Sequence, residues 1–375
     1  MKLISFLAIF LVILNGCNEK TTPEKESITK ETLSKSKDVP TEVKIQFAEN
    51  FDVRSVKGGY ELDLINPSSR EVESTFELTY DHSKRGDKVI HIPVKNIAAL
   101  SQTTVGMLSK LDALNSVSGI SKIEYVYSPE LKKRFQENTL LEFGDETNLP
   151  IEKIVQSKSD LIIYSGFGTE LDANGKLKKL GIHSIPNYEW RETHPLGRAE
   201  WIKYLGILLD KTEEAKTVFD RVRTNYEDLR WKIRNLVESP KVISGNVYAD
   251  QWTAPAGNSY MAILIRDAGA QYAYSSRAGT GSIFLPIEKV IHDNRTTPFW
   301  INPGIKSKKV LSEMNPKSNL LSAYKNGIYC YSTEMNHYWE MSAIEPDRYL
   351  ADLIHIFHPD FEPKSTLHFY KKTAA

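Results

Sequence analysis

Aromatic side chains that could stack against a ligand are concentrated in segments that the sequence predicts to be loops. Aromatic residues make up 10% of the chain, and tyrosine and tryptophan rings suit a large conjugated ligand. The Arg277 guanidinium could pair with a carboxylate or another anionic group. Each of these side chains could equally serve core packing. The candidate ligand contacts are Tyr125, Tyr127, Phe167, Tyr188, Trp190, Tyr248, Trp252, Arg277 and the run Asn336-His337-Tyr338-Trp339.

Cys17 is a second candidate for chemistry, because its thiol could be acylated. An apolar run from Leu3 to Leu14 precedes it. About 12 residues suit the hydrophobic region of a signal peptide and are too few for a membrane span, which takes about 20. Gly16 is the small residue that a lipoprotein-processing peptidase requires, although Asn15 is less usual at its position. We expect lipidation at Cys17, with an ordinary signal peptide over residues 1–17 and an incidental cysteine as the alternative.

Residues 18–41 are predicted to be a flexible tether. They are almost all Lys, Glu, Thr, Ser and Asn, without an aromatic residue, and such a segment cannot bury enough apolar surface to offset its ordering entropy. An acylated Cys17 would then hold a folded body near a membrane. Cys330 is the only other cysteine, and we expect it to be a buried thiol in a strand.

Composition and motifs argue against several classes of function. The 48 basic and 48 acidic residues balance, so a basic nucleic-acid-binding surface is not indicated. The chain has no Gly-x-Ser-x-Gly, P-loop, Cys-x-x-Cys or His-Glu-x-x-His motif. The nine histidines are scattered, and His355 and His358 beside Pro359 suit a helix end better than a metal site. We therefore expect no catalytic residue, no cofactor and no metal site.

The order of predicted strands and helices along the chain indicates two α/β lobes, which must position the candidate ligand contacts. Short apolar runs alternate with helical segments, which predicts parallel strands with crossover helices. In the preceding residues 42–91, apolar and polar side chains alternate, which predicts a small antiparallel sheet. First strands are expected at Val43–Phe47 in this sheet and at Lys241–Tyr248 in the second lobe. The expected segments are 42–91 for the β-rich part, 92–196 for the first lobe, 197–239 for connecting helices and 240–375 for the second lobe.

The strongest helical pattern lies between the lobes. Apolar residues recur with the 3.6-residue period from Ala215 to Leu236, and Thr212 could cap the start. About 25 residues predict a rod of roughly 37 Å. One continuous rod between two lobes would make a stiff connector.

An internal repeat relates the two lobes. Leu149–Lys153 and Leu285–Lys289 both have the sequence Leu-Pro-Ile-Glu-Lys, with the proline where a helix should begin. Each copy is followed by one short helix and a strand that enters a glycine loop. We interpret the repeat as a sign of related lobes, and convergent helix-start chemistry is the alternative.

Residues 91–360 resemble the helical-backbone (class III) substrate-binding proteins of ABC importers, which capture iron-siderophores, haem or cobalamin. The similar blocks are Leu149–Ile163, in which Ser159 replaces a usual proline, His194–Trp201, and Ala256–Tyr260 followed by Asp267–Ala270. The resemblance implies two Rossmann-like lobes with central sheets joined by one long rigid α-helix, preceded by the β-rich segment. It also implies a ligand cleft at the carboxyl ends of the strands.

The resemblance assigns a partner and a pair of docking residues. The family carries one acidic residue on each lobe that docks onto arginines of the permease, and these match Glu152 and Glu288 of the repeat. A carboxylate in a first helical turn is exposed and favoured by the helix dipole, which is also the plain structural explanation. The expected partners are a permease with its ATPase, and the membrane through the lipid.

The expected role is therefore ligand capture outside the cytoplasm, on a bacterial cell membrane, and not catalysis. Arg277 and the tyrosines favour an anionic iron complex over cobalamin. A surface-exposed lipoprotein enzyme and an adhesin remain as alternatives, although neither explains the aromatic loops between the lobes.

Overall fold

The computed structural model describes residues 40–166, 171, 173–305, 307–331, 335–361 and 366–374. The predicted signal peptide with Cys17, nearly all of the predicted tether, Phe167 and the side chain of Asn336 lie outside what it describes. Among the described residues, no helix is both long and apolar enough to cross a membrane. All elements below belong to one unit, Asp38–Ala375.

A four-stranded sheet comes first in the described chain. Its strands are β1 (Phe51–Val56), β2 (Gly59–Ile65), β3 (Val72–Thr79) and β4 (Val89–His91), in that order. The pairs β1–β2 and β2–β3 are antiparallel, whereas β4 lies parallel to β3. Tyr60, Leu62 and Leu64 alternate along β2 and are buried, so one face of the sheet packs on the core.

The strand expected at Val43–Phe47 does not form. The backbone N–H groups of Phe47 and Ala48 donate to a carboxylate oxygen of Glu200 at 2.6 and 2.9 Å, and that of Gln46 donates to the same carboxylate at 3.0 Å. Because these groups bond to a side chain, they cannot also build a strand ladder. The segment lies instead against the helix that carries Glu200, residues Pro195–Leu208.

The first lobe is a parallel α/β unit. Its sheet has the order β7-β6-β5-β8-β9, and all neighbouring strands are parallel. All four residues of β8 are buried, as expected for a parallel strand covered on both faces. The elements are β5 (Ile97–Ala99), α1 (Gln102–Lys110), β6 (Val117–Ile120), α2 (Pro129–Gln136), β7 (Leu141–Glu142), α3 (Ile151–Gln156), β8 (Leu161–Tyr164), α4 (Asn174–Lys179) and β9 (His183–Pro186).

Two helices connect the lobes, α5 (Pro195–Leu208) and α6 (Thr212–Ile233). Every residue of α5 is buried. The helix α6 has 22 residues and is therefore about 33 Å long, and it ends at Ile233, before the expected Leu236. Its buried side chains lie on one face, as the period predicted: Ala215, Phe219, Val222, Tyr226 and Ile233.

The second lobe has two sheets. The larger has the order β13-β10-β15-β16-β17, in which only β17 is antiparallel to its neighbour, and the smaller is the antiparallel sheet β11-β12-β14. The strands are β10 (Lys241–Ser244), β11 (Asn246–Tyr248), β12 (Gln251–Pro255), β13 (Gln271–Tyr272), β14 (Ser282–Pro286), β15 (Phe299–Ile301), β16 (Ile328–Tyr331) and β17 (Tyr370–Lys372). The helices are α7 (Tyr260–Asp267), α8 (Ile287–Asn294), α9 (Lys308–Met314), α10 (Ser322–Asn326), α11 (Met335–Met341) and α12 (Pro346–Phe357).

The single strand expected at Lys241–Tyr248 is two strands in different sheets. Gly245 separates them with φ +130°, and a Cβ atom at this position would lie 2.2 Å from the carbonyl oxygen of Thr253. Glycine is therefore required where the chain leaves β10 and enters β11.

The two lobes share a strand order. The four parallel strands run β6-β5-β8-β9 in the first lobe and β13-β10-β15-β16 in the second. The repeated Pro-Ile-Glu-Lys sequence begins α3 and α8, which precede the third strand of this order in each lobe. This match supports related lobes, and the predicted fold class of two α/β lobes with a long connecting helix is confirmed.

Candidate ligand-binding site

A cavity of about 1190 Å³ lies between the two lobes. It is lined by Leu100–Thr103 after β5 and Ser165 after β8, and by Ser244–Asn246 after β10 and Asn302 after β15. The strands β5 and β8 are neighbours in the first sheet, and β10 and β15 are neighbours in the second. The strand order of each sheet reverses between these two neighbours, and α/β proteins bind ligands at such a point. We call this cavity the cleft.

Aromatic side chains from both lobes line the cleft. Tyr125 and Trp190 come from the first lobe, and Tyr260, Tyr331 and Trp339 come from the second. The exposed fractions of Tyr125 and Trp339 are 45% and 46%, so both rings can meet a ligand. Trp190 is held because its indole N–H donates to the carbonyl oxygen of Ser165 at 2.7 Å.

Arg198 lies at the base of the cleft in the first turn of α5 and is only 7% exposed. Its Nε donates to Glu189 at 2.8 Å, and its guanidinium lies 4.2 Å from the ring centroid of Tyr260. Burial alone would lower the pKa of Arg198, but the charge of Glu189 raises it, so the guanidinium stays protonated. The positive charge in the cleft is therefore already paired.

The charges on the described cleft wall do not favour an anion. Three acidic residues line it, Asp145, Glu146 and Glu189, against two basic residues, Arg191 and Arg198. The guanidinium of Arg191 stacks 5.2 Å from the ring centroid of Trp190. The cleft thus combines aromatic faces with a nearly balanced set of charges.

Of the predicted ligand contacts, Tyr125, Trp190 and Trp339 line the cleft. Tyr127 lies beside it without lining it, with its ring 4.6 Å from that of His337. Tyr188, a further candidate, is buried, and its hydroxyl donates to Glu73.

Tyr248, Trp252 and Arg277 do not line the cleft. Tyr248 is 77% exposed on β11, and Trp252 is fully buried against Trp300 at 4.8 Å between ring centroids. The physical reason for both is the break at Gly245, which sends the chain into a separate sheet.

Arg277 lines a different groove, of about 1570 Å³, between the end of α6 and the second lobe. That groove is larger than the cleft, but it lies away from the first-lobe sheet. No residue at the carboxyl ends of the first-lobe strands lines it. Of these two cavities, only the cleft is formed by the strand ends of both lobes, which is where α/β proteins bind ligands.

Most residues that line the cleft were not among the predicted contacts, including Glu189, Arg198, Tyr260 and Tyr331. Arg198 and Tyr260 belong to sequence blocks that carried the family resemblance, so a signal was present. Arg198 in α5 and Tyr260 in α7 face the cleft because these two helices pack against each other. This packing cannot be predicted from the sequence.

The lobes contact each other directly beside the cleft. A carboxylate oxygen of Glu340 in α11 accepts the backbone N–H of Tyr127 in the first lobe at 2.8 Å. Lys110 of α1 donates to Glu345 at 2.7 Å. Burial raises the pKa of Glu340, and its bond to the Tyr127 N–H opposes this. These contacts restrain movement of one lobe against the other.

The two glutamates of the repeat occupy matching exposed positions. Glu152 and Glu288 lie in the first turns of α3 and α8, each after a proline. Glu288 also pairs with Lys317, whose ammonium contacts Asp250 at 2.9 Å. The hydrogen bond from Lys317 lowers the pKa of Glu288.

Comparison with known proteins agrees with this architecture. An uncharacterized lipoprotein of Methanocaldococcus jannaschii is 29% identical over 304 residues, which cover 77% of this chain and 72% of the relative. A periplasmic heme-binding protein from Pseudomonas aeruginosa has a similar structure, with a TM-score of 0.60 at 16% identity over 75% of this chain and 99% of that one. The vitamin B12-binding protein BtuF of Vibrio cholerae gives a TM-score of 0.53 at 15% identity over 73% of this chain and 99% of that one. The sequence profile of the periplasmic binding proteins matches residues 97–329, and the chain belongs to this family.

Proposed function

We propose that this protein is the extracytoplasmic substrate-binding lipoprotein of an ABC importer. It captures an iron complex, a siderophore or haem, in the cleft and delivers it to a permease with its ATPase. The observation that carries the proposal is the cavity of about 1190 Å³ at the strand ends of both lobes, with aromatic side chains on both sides. Cys17 anchors the protein through lipid, which the lipoprotein name of the relative supports.

The size and walls of the cleft favour a bulky ligand. Pockets for drug-sized ligands are about 300–1,000 Å³, and this cleft is larger. Tyr125, Trp190 and Trp339 offer faces for a conjugated ring system or an aromatic chelate. The family is one of binding proteins, which favours capture over catalysis.

Cobalamin is the second candidate, and the nearly balanced charge of the cleft suits it as well as an uncharged iron complex. The preference for an anionic iron complex relied on Arg277, which lies in another groove. Without Arg277, the described wall has three acidic and two basic residues. An uncharged or weakly charged complex therefore fits better than a polyanion.

Ligand retention tests the proposal. The mature protein is incubated with ferric siderophores of different charge, haemin and cyanocobalamin, desalted, and analysed by absorbance and native mass spectrometry. We expect one equivalent of one ligand class to remain bound. Retention of none of them, together with hydrolytic turnover of a substrate panel, would favour the enzyme alternative.

A matched pair of variants locates the binding site. Trp339→Ala removes a cleft ring and should weaken binding about tenfold, or about 1.4 kcal/mol. Tyr248→Ala removes an exposed ring outside the cleft and should leave the affinity unchanged. Equal effects of the two variants would contradict the assignment of the cleft.

A further inference from the structure

Two histidines that are distant in sequence meet beside a glutamate in the second lobe. One ligand atom each from His337, Glu345 and His368 lies within 4.8 Å of the others. His337 is in α11, Glu345 directly precedes α12, and His368 precedes β17. None of the three lines the cleft, so the cluster is separate from the proposed ligand site.

The position of His368 is fixed by its backbone. The carboxylate of Asp352 in α12 accepts the N–H groups of His368, Phe369 and Tyr370 at 2.7, 2.6 and 3.0 Å. Three such bonds hold the chain that leads into β17. The imidazole of His368 is thereby presented to the start of α12.

Glu345 is oriented with one oxygen directed at His368. Its Oε1 accepts from Lys110 at 2.7 Å and lies 3.4 Å from the Nε of Arg348. Its Oε2 lies 3.3 Å from Nε2 of His368. The side chain of Glu345 is only 6% exposed, so this orientation is held by its surroundings.

His337 completes the cluster from the other side. Its ring centroid lies 4.9 Å from that of His368 and 5.3 Å from that of Phe369. Tyr127 of the first lobe packs on it at 4.6 Å. The imidazole is half-buried, which limits its movement but leaves access for a solvent molecule.

We propose that His337, Glu345 and His368 bind one divalent transition-metal ion. Two imidazoles and one carboxylate are the ligand set of many zinc sites that keep a fourth position for water. A tetrahedral ion with bonds of about 2.1 Å separates its ligand atoms by about 3.4 Å, which the Glu345–His368 pair already matches. Only His337 must approach. Imidazole ligands exclude Mg²⁺ and Ca²⁺, which prefer oxygen.

The charges around the cluster permit such an ion. Lys110 and Arg348 contact Oε1 of Glu345, and the guanidinium of Arg348 also lies 3.4 Å from Nε2 of His368, so both side chains oppose a cation and Arg348 must turn away from His368 when an ion binds. Asp352 sits directly behind His368 and supplies a second negative charge.

Metal titration of the full mature chain, without a polyhistidine tag and stripped with a chelator, tests the proposal. We expect Zn²⁺ to bind with a stoichiometry of one by calorimetry, and Co²⁺ to give the visible absorption bands of a low-symmetry site. His337→Ala and His368→Ala should each weaken Zn²⁺ binding at least tenfold and abolish these bands.

A control pair separates this cluster from adventitious imidazole binding. His82 and His91 also lie close, with ring centroids 5.0 Å apart, but they are outside the metal-ligand cluster. The double variant His82→Ala/His91→Ala should bind Zn²⁺ like the wild type. No stoichiometric binding by the wild type, or full retention by both cluster variants, would overturn the proposal. If His368→Ala melts early without metal, His337→Ala and His368→Asn decide the outcome.

Discussion

Glu192 is a buried carboxylate between the N-terminal segment and α5. It is 2% exposed, and it accepts the N–H groups of Glu49 and Asn50 at 2.8 and 3.0 Å and the indole N–H of Trp201 at 2.9 Å. Burial raises the pKa of Glu192 to about 7, although these three hydrogen bonds favour the ionised form. The folded protein therefore holds a proton here that the unfolded chain releases near pH 4.5.

This proton makes the stability depend on pH. Between about pH 4.5 and 7 the unfolded chain binds fewer protons than the folded one, so the free energy of unfolding falls as pH rises. The contribution of Glu192 is fully present below pH 4.5, and about 3 kcal/mol of it is lost by pH 7. Urea unfolding across pH 4.5–8 should show this slope in the wild type and a reduced slope in Glu192→Gln, because the amide does not titrate. The exposed variant Glu214→Gln should keep the wild-type slope, and parallel profiles of Glu192→Gln and wild type would refute the assignment.

At the scale of elements, the contact between α1 and α11 brings the two lobes together. A Cβ atom on Gly106 of α1 would lie 1.8 Å from the carbonyl oxygen of Glu340 in α11. The absence of a side chain is therefore what permits the helices to approach. This approach places the Glu340 carboxylate within reach of the Tyr127 N–H.

Gly106→Ala should separate these helices. Overpacking of this kind costs about 1–3 kcal/mol, so the free energy of unfolding should fall by that amount. Gly175 in α4 is a matched control, because it is helical and a Cβ there meets nothing within 4 Å. Gly175→Ala should be neutral or stabilise by up to about 1 kcal/mol. Denaturant titration measures the free energy of unfolding of both variants. Equal changes in the two would contradict the proposed role of Gly106.

Local patterns were sufficient to predict some elements and not others. The helices α3, α6 and α8 were predicted because their start signals and periodicity are contiguous in sequence. The strand β11 was not predicted as separate from β10, because the segment 241–248 has strand-forming residues on both sides of Gly245, where the chain changes sheets. The segment 43–47 resembles a strand, but a carboxylate from α5 takes its N–H groups.

The same distinction applies to the site. That aromatic residues would line a cleft followed from their placement in loops, but which ones do so depends on the path of the backbone. Trp252 and Trp339 were equivalent in the sequence, whereas one is fully buried and the other 46% exposed. The metal-ligand cluster was not foreseen, since His337 and His368 meet only through the position of β17.

At the scale of the whole molecule, the N-terminal sheet braces the connector between the lobes. Phe51 of β1 packs on Trp201 of α5 at 4.6 Å, and Glu200 of α5 holds the segment before β1. The helix α5 in turn packs along α6. The sheet, α5 and α6 therefore pack together as one body. We expect the lobes to move only slightly on ligand binding, because this body and the α1–α11 contact both resist opening.

Two lobes held at a fixed spacing present Glu152 and Glu288 as a pair. Both glutamates are exposed in first helical turns, at matching positions of the two lobes. Lys317 pairs with Glu288, so in the proposed docking a permease arginine would have to compete with Lys317 for this carboxylate. A pair of carboxylates on related lobes suits a permease with two-fold symmetry.

Charge reversal tests docking in a transport assay with the cognate permease. Glu152→Lys/Glu288→Lys should abolish uptake, because each lysine would face a permease arginine and like charges repel. Ligand affinity should not change, since neither residue lines the cleft. The control is Glu213→Lys/Glu214→Lys, which makes the same change in net charge at two exposed positions in the first turn of α6. It should transport like the wild type. If the first variant imports normally, or if both lose uptake equally, the two glutamates are ordinary helix-start charges and the permease recognises another surface.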